Sequence, residues 1–126
     1  MIYISHPFTG DEEKNRKKAR EIAAGLAKRY PHETFINPLD AMQYAENAKL
    51  DYNIVISHCL KLLSFCDHII MTGNWRESRG CQIEYAFAKI CDIKVWEMEE
   101  NHANDNRSNC DLLCYDHFVF SGETIS

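Results

Sequence analysis

The chain has 126 residues, the length of one ordinary domain, of which 45% are hydrophobic and 26% charged. Its formal net charge of -5 argues against a protein that coats a nucleic-acid polymer, because such surfaces are basic. The basic cluster from Lys14 to Arg20 is predicted to be the solvated side of a helix. No apolar run approaches the roughly 18 residues of a membrane span, and the N-terminus lacks a signal pattern. These features predict a cytoplasmic protein with no membrane partner.

Strand-like and helical segments alternate along the first 98 residues. Helical periodicity is clearest where Ala19, Ile22 and Leu26 repeat on one face, and strand character is clearest in the apolar run "HIIMT". In chain order the sequence predicts a strand at 2–5, a helix at 11–30, a strand at 34–37, a short helix or ordered loop at 39–47, a helix at 52–65, a strand at 68–72, a loop at 73–79, a helix at 80–91 and a strand at 93–98.

This alternation predicts an α/β fold made of right-handed crossovers. The expected architecture is one doubly wound, Rossmann- or flavodoxin-like domain over residues 1–98, with a parallel sheet of four to five strands and helices on both faces. Such sheets bind ligands at the carboxyl ends of their strands, here residues 5–7, 37–38 and 73–75. The tail, 99–126, is predicted to be a polar loop followed by a strand within "HFVFSG", packed on the domain or on a neighbouring subunit.

The six cysteines do not follow a disulfide framework, and four of them lie inside or beside helical or apolar segments. We therefore expect free, buried thiols. The spacing of Cys110, Cys114 and His117 is compatible with zinc, but a convincing fourth ligand is lacking, and we predict no metal.

The segment "NWRESRGCQIEYAFA" leads from a loop into a helix that is predicted to pack Ile83, Phe87 and Ile90 inward. Among these apolar residues lies Glu84. Gly80, four residues earlier on the same face, leaves open space above the carboxylate, and Ser78 with the first free amides is placed to hold an anion. The alternative is an N-cap serine, a turn glycine and an exposed helical glutamate, and spacing alone favours that alternative.

The motifs "IYISHPFTG", "INP", "CDHIIMTGNW" and "SRGCQIEYAFA" occur in an order and spacing that resemble the nucleoside 2-deoxyribosyltransferase superfamily. The likeness covers about residues 1–98. It is greatest to a phage- and prophage-associated, uncharacterised branch and to the deoxynucleoside 5′-monophosphate N-glycosidases. The resemblance implies that Glu84 attacks the sugar C1′ as a nucleophile, that the Tyr3 hydroxyl holds this carboxylate, and that no cofactor is needed.

Ser78 occupies the position at which the resemblance implies a choice of substrate. An aspartate there contacts the 5′-hydroxyl in the transferases, whereas a serine binds the 5′-phosphate in the nucleotide hydrolases, since a hydroxyl donates to phosphate and a carboxylate repels it. The other candidates for the phosphate-binding site are Gly80, Thr9 and Gly10. The candidates for base or sugar contact are His6, Pro7, Asn37, Trp75 and Cys59. For three residues a structural role stays open: Tyr3 as a core residue, Asn37 as a cap and Trp75 as a wall of the pocket.

Two residues depart from the pattern of the superfamily. His6 replaces a glycine, and Cys59 stands eight residues before Asp67, where an aspartate usually helps to protonate the leaving base. Either His58 or His6 replaces that acid, or the base leaves unaided, or catalysis has been lost.

The function expected from the sequence is therefore an N-glycosidase that acts on (deoxy)nucleoside 5′-monophosphates. The alternatives are a nucleoside deoxyribosyltransferase, a non-catalytic nucleotide-binding or sequestering protein, and a structural module whose tail docks a partner. The resemblance also implies a homodimer or higher homo-oligomer, to which the tail would contribute side chains such as Asn109, Tyr115, His117 and Ser121.

Overall fold

A computed structural model describes residues 1–98 and the backbone of 118–120. Its strands are β1 (Ile2–Ser5), β2 (Phe35–Ile36), β3 (His68–Met71), β4 (Lys94–Met98) and β5 (Phe118–Phe120). Its α-helices are α1 (Glu12–Arg29), α2 (Pro38–Ala41), α3 (Gln43–Asn47), α4 (Tyr52–Leu63) and α5 (Arg79–Ile90), and a 3₁₀ turn spans Trp75–Glu77.

The five strands form one open sheet in the order β2-β1-β3-β4-β5. The first four run parallel, with Tyr3 paired to both Ile36 and Ile69, which confirms the doubly wound α/β prediction. The predicted C-terminal strand is present as β5, but it pairs antiparallel to β4 at the edge of the sheet, where no helical crossover is needed. The rest of the tail, with the proposed zinc and subunit-contact residues Cys110, Cys114, Asn109, Tyr115, His117 and Ser121, lies outside the described residues.

The alternation of side chains along the strands divides the core between the two faces of the sheet. One face packs Ile4 and Ile70 against Ile22 and Leu26 of α1. The opposite face packs helices α4 and α5 against Tyr3 and its neighbours in the sheet, and its buried members include Cys59, Leu63, Ile69, Met71, Cys81, Ala88 and Val95. Helices therefore cover both faces, as predicted.

Helix α1 begins and ends where its sequence predicts. The side chain of Asp11 accepts a hydrogen bond from the Lys14 amide at 3.3 Å, and acidic residues occupy the first turn, where they suit the helix dipole. Ala19, Ile22 and Leu26 are buried as expected from their spacing. The basic cluster was predicted to be solvated, but Arg16 is an exception, because its side chain is only 17% exposed.

Cys59, Cys66 and Cys81 are buried free thiols, whereas Cys91 is free and exposed. Within the described part of the chain, no group of three His, Cys, Asp or Glu side chains is arranged to hold a metal ion. Over the same residues, no helix combines the length and the apolar character needed to cross a membrane.

Candidate functional site

Helix α5 carries the central carboxylate, and it is rotated relative to the sequence prediction. Its buried residues are Cys81, Glu84 and Ala88, whereas Ile90 is 81% exposed. The small side chains at 81 and 88 fit against the core of the sheet, and residues 81, 84 and 88 share one helix face. The prediction that Ile90 packs inward is therefore wrong, and the interpretation of Glu84 as an exposed helical residue is excluded.

Two hydroxyl groups of β1 hold the Glu84 carboxylate. The Tyr3 hydroxyl donates to Oε2 at 2.6 Å, and the Ser5 hydroxyl donates to Oε1 at 2.7 Å. Because residues 3 and 5 point to the same side of the strand, both hydroxyls face α5. Glu84 is 6% exposed, and no cation of the described residues forms an ion pair with it.

Burial sets the ionisation of this carboxylate. It raises the pKa of Glu84 to about 7, against the opposing effect of the hydrogen bonds from Tyr3 and Ser5, which favour the charged form. The Tyr3 hydroxyl is itself fully buried, and burial followed by the Glu84 charge raises its pKa well above the usual value. Tyr3 therefore remains a donor, while Glu84 changes between carboxyl and carboxylate near neutral pH.

A cavity of about 460 Å³ lies in front of Glu84, at the carboxyl end of β1. Most of its wall is apolar and comes from α2, α4 and the segments beside them. Of the residues predicted from the sequence, the cavity is lined by His6, Thr9, Cys59, Ser78, Gly80 and Glu84. Tyr3 lies behind Glu84 and reaches the site through its hydroxyl. Pro7 and Gly10 do not line the cavity.

Ser78 is the N-cap of α5 at the rim of this cavity. Its hydroxyl oxygen accepts a hydrogen bond from the Cys81 amide at 3.3 Å, and the hydroxyl also interacts with the Cys81 thiol. Gly80 lies one turn before Glu84, and a Cβ atom there would come within 3.2 Å of the Tyr52 hydroxyl. The prediction of open space next to Gly80 is therefore wrong, because Tyr52 and Ile56 of α4 pack closely there, and glycine permits that approach.

Two predicted base contacts are placed elsewhere. The Asn37 side chain accepts from the Leu39 amide at 3.2 Å and caps helix α2, whereas the alternative left open for it was a cap of the strand before Pro38. Trp75 is buried in the core, where its indole donates to Glu97 at 3.0 Å and its ring packs on Tyr85 with the centroids 5.0 Å apart. Neither residue lines the cavity, so base contact by Asn37 or Trp75 is not supported.

His6 is a neutral side chain on the cavity wall. Its Nδ1 atom lies 2.8 Å from the Thr72 hydroxyl, which in turn donates to the Ser5 carbonyl at 2.8 Å. The Thr72 oxygen must therefore accept from His6, which places the ring proton on Nδ1 and leaves Nε2 as an acceptor. Burial, with a smaller effect of the Lys18 charge, lowers the pKa of His6 to about 4. The other candidate acid, His58, is hydrogen-bonded to Tyr44 at 2.8 Å and does not line the cavity.

Cys59 lines the cavity as a neutral thiol. Burial and the neighbouring Glu84 charge raise its pKa to about 11, with a partial offset from hydrogen bonding with Tyr3. A thiol with this pKa does not replace the carboxylic acid that the resemblance implies at this position.

Three residues of the site were not predicted from the sequence. Ser5 is the second donor to Glu84, and its position two residues after Tyr3 on one strand is a signal that identifies it in retrospect. Arg16 and Glu46 line the cavity and are paired, Nη2 to Oε1, at 2.6 Å. Thirty residues separate them along the chain, and no local pattern connects them.

The family model described as Domain of unknown function (DUF4406) matches residues 1–97. The chain belongs to this family. No curated protein and no solved structure matches the chain. The DUF4406 domain contains α1–α5 and every residue that lines the cavity in front of Glu84.

Proposed function

We propose that this protein is an N-glycosidase of (deoxy)nucleoside 5′-monophosphates, with Glu84 as the nucleophile. The observation that carries the proposal is the Glu84 carboxylate, held by two hydroxyl donors at the wall of a largely apolar cavity. Burying a carboxyl group without a cation costs stability, and such groups with perturbed pKa values concentrate at catalytic sites. The resemblance of the motifs around Glu84 to the nucleoside 2-deoxyribosyltransferase superfamily supports the same role.

The proposed reaction has two steps that resemble retaining glycoside hydrolysis. In the first, a Glu84 oxygen bonds to the sugar C1′ while the C1′–N bond breaks, and the electron pair leaves with the base, which takes a proton from solvent. In the second, water attacks C1′, the ester bond to Glu84 breaks, and sugar 5-phosphate is released. The sum is hydrolysis of the nucleotide to free base and sugar phosphate, with Glu84 regenerated.

Ser78 supports a substrate that carries a 5′-phosphate. Its hydroxyl lines the cavity and can donate to phosphate, and the first amides of α5 add the positive end of a helix dipole. Thr9 and Gly80 are the other predicted phosphate-site residues that line the cavity. A 5′-phosphate bound by these groups would place the sugar between the start of α5 and Glu84, about one helical turn further along.

His6 fits a role in the second step. Because Nε2 carries no proton, His6 does not supply one to the leaving base. The same nitrogen can accept a hydrogen bond from the attacking water, but a pKa of about 4 makes it a weak base. We therefore assign His6 to orienting the attacking water, which loses its proton to solvent, and the leaving base to protonation by solvent.

A non-catalytic nucleotide-binding protein is the second candidate, and Cys59 is the observation that favours it. With a neutral thiol in place of an acid, departure of the base receives no help from that position. Such a protein would keep the cavity, the phosphate-binding groups and the affinity for nucleotide, but it would not turn its ligand over.

Substitution Glu84→Gln separates the two candidates. We expect wild-type protein to release free base from nucleoside 5′-monophosphates and the variant to lose more than about a thousandfold in rate, because the amide is a poor nucleophile. Chromatography of a panel of ribo- and deoxynucleotides measures the release. Glu77→Gln is the matched control, since Glu77 is exposed and does not line the cavity. Nucleotide binding without release by the wild-type protein would contradict the glycosidase and leave the binding protein.

A further inference from the structure

Arg16 and Glu46 form an ion pair on the cavity wall built by α1 and α3. Nη2 of Arg16 donates to Oε1 of Glu46 at 2.6 Å, and both residues line the cavity that holds Glu84. Their side chains are 17% and 41% exposed, respectively. Ser78, the proposed phosphate ligand, lines the same cavity from the start of α5.

The guanidinium of Arg16 is held in place but not fully hydrogen-bonded. It lies over the Phe8 ring, 5.1 Å from the centroid, and its Nε atom is buried with no hydrogen-bond partner among the described residues. Nη2 alone is bonded to Glu46, so most donors of the fork are not used by residues 1–98. A buried donor without a partner is destabilising by itself. Because Nε has almost no accessible surface, a ligand in the cavity would reach the guanidinium through its Nη donors instead.

Glu46 offers the complementary group. Its Oε1 atom accepts from both Arg16 and Gln43, the latter at 2.7 Å, which fixes the orientation of the carboxylate. No donor of the described residues bonds to Oε2. Arg16 and Glu46 therefore present unused donors and an unused acceptor next to each other.

A nucleobase edge matches this arrangement better than a phosphate does. A phosphate approaching Arg16 would meet the negative charge of Glu46, whereas a base presents N–H donors beside ring-nitrogen or carbonyl acceptors. Lys49, an exposed cation that also lines the cavity, has no ion pair among the described residues and is the better partner for an anion. The apolar wall from Leu39, Met42 and Val55 suits the flat face of a base.

We propose that Arg16 and Glu46 read the base of the substrate, with the Arg16 guanidinium donating to a base acceptor and the Glu46 Oε2 atom accepting from an adjacent base N–H. This inference rests on the proposed nucleotide substrate and adds a specificity-determining pair to it. The Arg16–Glu46 pair should bind a base that has an N–H donor next to an acceptor more tightly than a ring that has acceptors only.

The test measures binding by calorimetry in the Glu84→Gln background, so that turnover does not consume the ligand. The probes are the 2′-deoxynucleoside 5′-monophosphates of the four common bases, the nucleotide of unsubstituted purine, which lacks N–H donors, and 2-deoxyribose 5-phosphate. We expect the best common base to bind at least about tenfold more tightly than unsubstituted purine. Arg16→Gln and Glu46→Gln should each reduce that preference to about threefold or less, and they should leave the affinity for 2-deoxyribose 5-phosphate within about threefold.

Arg20→Gln is the matched control. Arg20 is also on α1 and also pairs with a carboxylate, Asp40, at 2.9 Å, but neither residue lines the cavity. The control should keep the full preference among bases. If the Arg16–Glu46 pair only holds α3 against α1, Arg16→Gln and Glu46→Gln should change the base preference no more than Arg20→Gln does. That result would overturn the proposal.

A loss of affinity for 2-deoxyribose 5-phosphate equal to the loss for nucleotides would show that Arg16 anchors phosphate, and this too overturns base reading. Base release by the wild-type protein, measured in parallel, distinguishes a failure of the proposed function from a failure of base reading alone. Release with an unchanged preference in the variants rejects base reading alone. Binding of no nucleotide, together with no release, rejects the proposed function and base reading with it.

Discussion

Glu84 combines nearly complete burial with the ability to ionise near neutral pH. Tyr3 and Ser5 supply one hydrogen bond to each carboxylate oxygen, yet the effect of burial prevails and the pKa rises to about 7. The Glu84 carboxylate therefore binds a proton more tightly in the folded protein than in the unfolded protein. The consequence is a pH dependence of stability that does not depend on any function proposed for the site.

The sign of this pH dependence follows from the two pKa values. Between the ordinary value of 4.5 and about 7, the folded state binds more protons at residue 84 than the unfolded state, so the free energy of unfolding falls as the pH rises. The loss is on the order of 3 kcal/mol, complete above about pH 7. Glu84→Gln removes the ionisation, and the variant should melt several degrees above wild type at pH 8 but close to it at pH 4.5.

Thermal unfolding followed by circular dichroism across this pH range measures the difference. The exposed residue Glu77 again provides the control, since Glu77→Gln should shift the melting temperature by a small and nearly constant amount. Melting curves of wild type and Glu84→Gln that stay parallel from pH 4.5 to pH 8 would contradict the assigned pKa shift.

At the scale of secondary-structure elements, helix α5 brings the two ends of the site together. Ser78 caps its first turn, and Glu84 follows on the buried face. The sequence predicted the extent of this helix to within one residue at either end, because the capping serine and the apolar repeat are local signals. The rotation of the helix was predicted wrongly, since it depends on which side chains fit against the sheet.

Ser78→Asp separates the capping role of residue 78 from phosphate binding. Aspartate caps helices about as well as serine, so the free energy of unfolding should change by less than about 1 kcal/mol. The added charge should weaken binding of nucleoside 5′-monophosphates at least about tenfold, while unphosphorylated nucleosides are affected less. Calorimetric titration with both ligands, at one ionic strength, measures the two effects.

Ser78→Ala is the companion variant for that experiment, because it removes the cap without adding charge. It should lower the free energy of unfolding by about 1 kcal/mol. Equal weakening of nucleotide and nucleoside binding by Ser78→Asp would indicate that residue 78 does not contact a phosphate.

At the scale of the whole molecule, β1 and β3 are neighbours in the sheet, and the chain leaves them for opposite faces. Folds of this class bind ligands at the carboxyl ends of the strands at such a point. His6 follows β1, and Gly73 follows β3. Their contact is close: Gly73 has φ +65°, and a Cβ atom there would lie 2.9 Å from Cε1 of the His6 ring. Sixty-six residues separate Thr72 from His6, and the hydrogen bond between them fixes the ring in this crevice.

Gly73→Ala should therefore destabilise the protein by about 1–3 kcal/mol, through the positive φ and the clash with His6 together. Adding His6→Ala to Gly73→Ala removes the clash but not the backbone strain. The free energy of unfolding of the double variant should therefore be higher, by at least about 0.5 kcal/mol, than the two single-variant effects added together predict. Chemical unfolding of the four proteins in this cycle provides the measurement.

Gly10→Ala controls for backbone strain in that cycle. Gly10 has φ +110°, and a Cβ atom there meets nothing within 4 Å. Its cost should not depend on whether residue 6 is histidine or alanine. A coupling between positions 6 and 73 no larger than that between 6 and 10 would show that the ring does not pack on Gly73.

The sequence by itself determined the elements of the parallel sheet, the buried stripe of α1 and the position of Ser78 at the start of α5. These features depend on periodicity, capping and motif spacing, which are properties of neighbouring residues. Ser5 could have been predicted in the same way, because the alternation of side chains along the strand places it on the same side as Tyr3, facing α5.

Only the tertiary structure decided that Glu84 is buried, that Trp75 belongs to the core and that Arg16 pairs with Glu46 on the cavity wall. Each of these facts depends on how far a helix is rotated about its own axis, or on contacts between segments that are distant in the chain. Rotation and contact are set by packing across the sheet, where volumes from several elements must fit at once. Local sequence patterns do not contain that information.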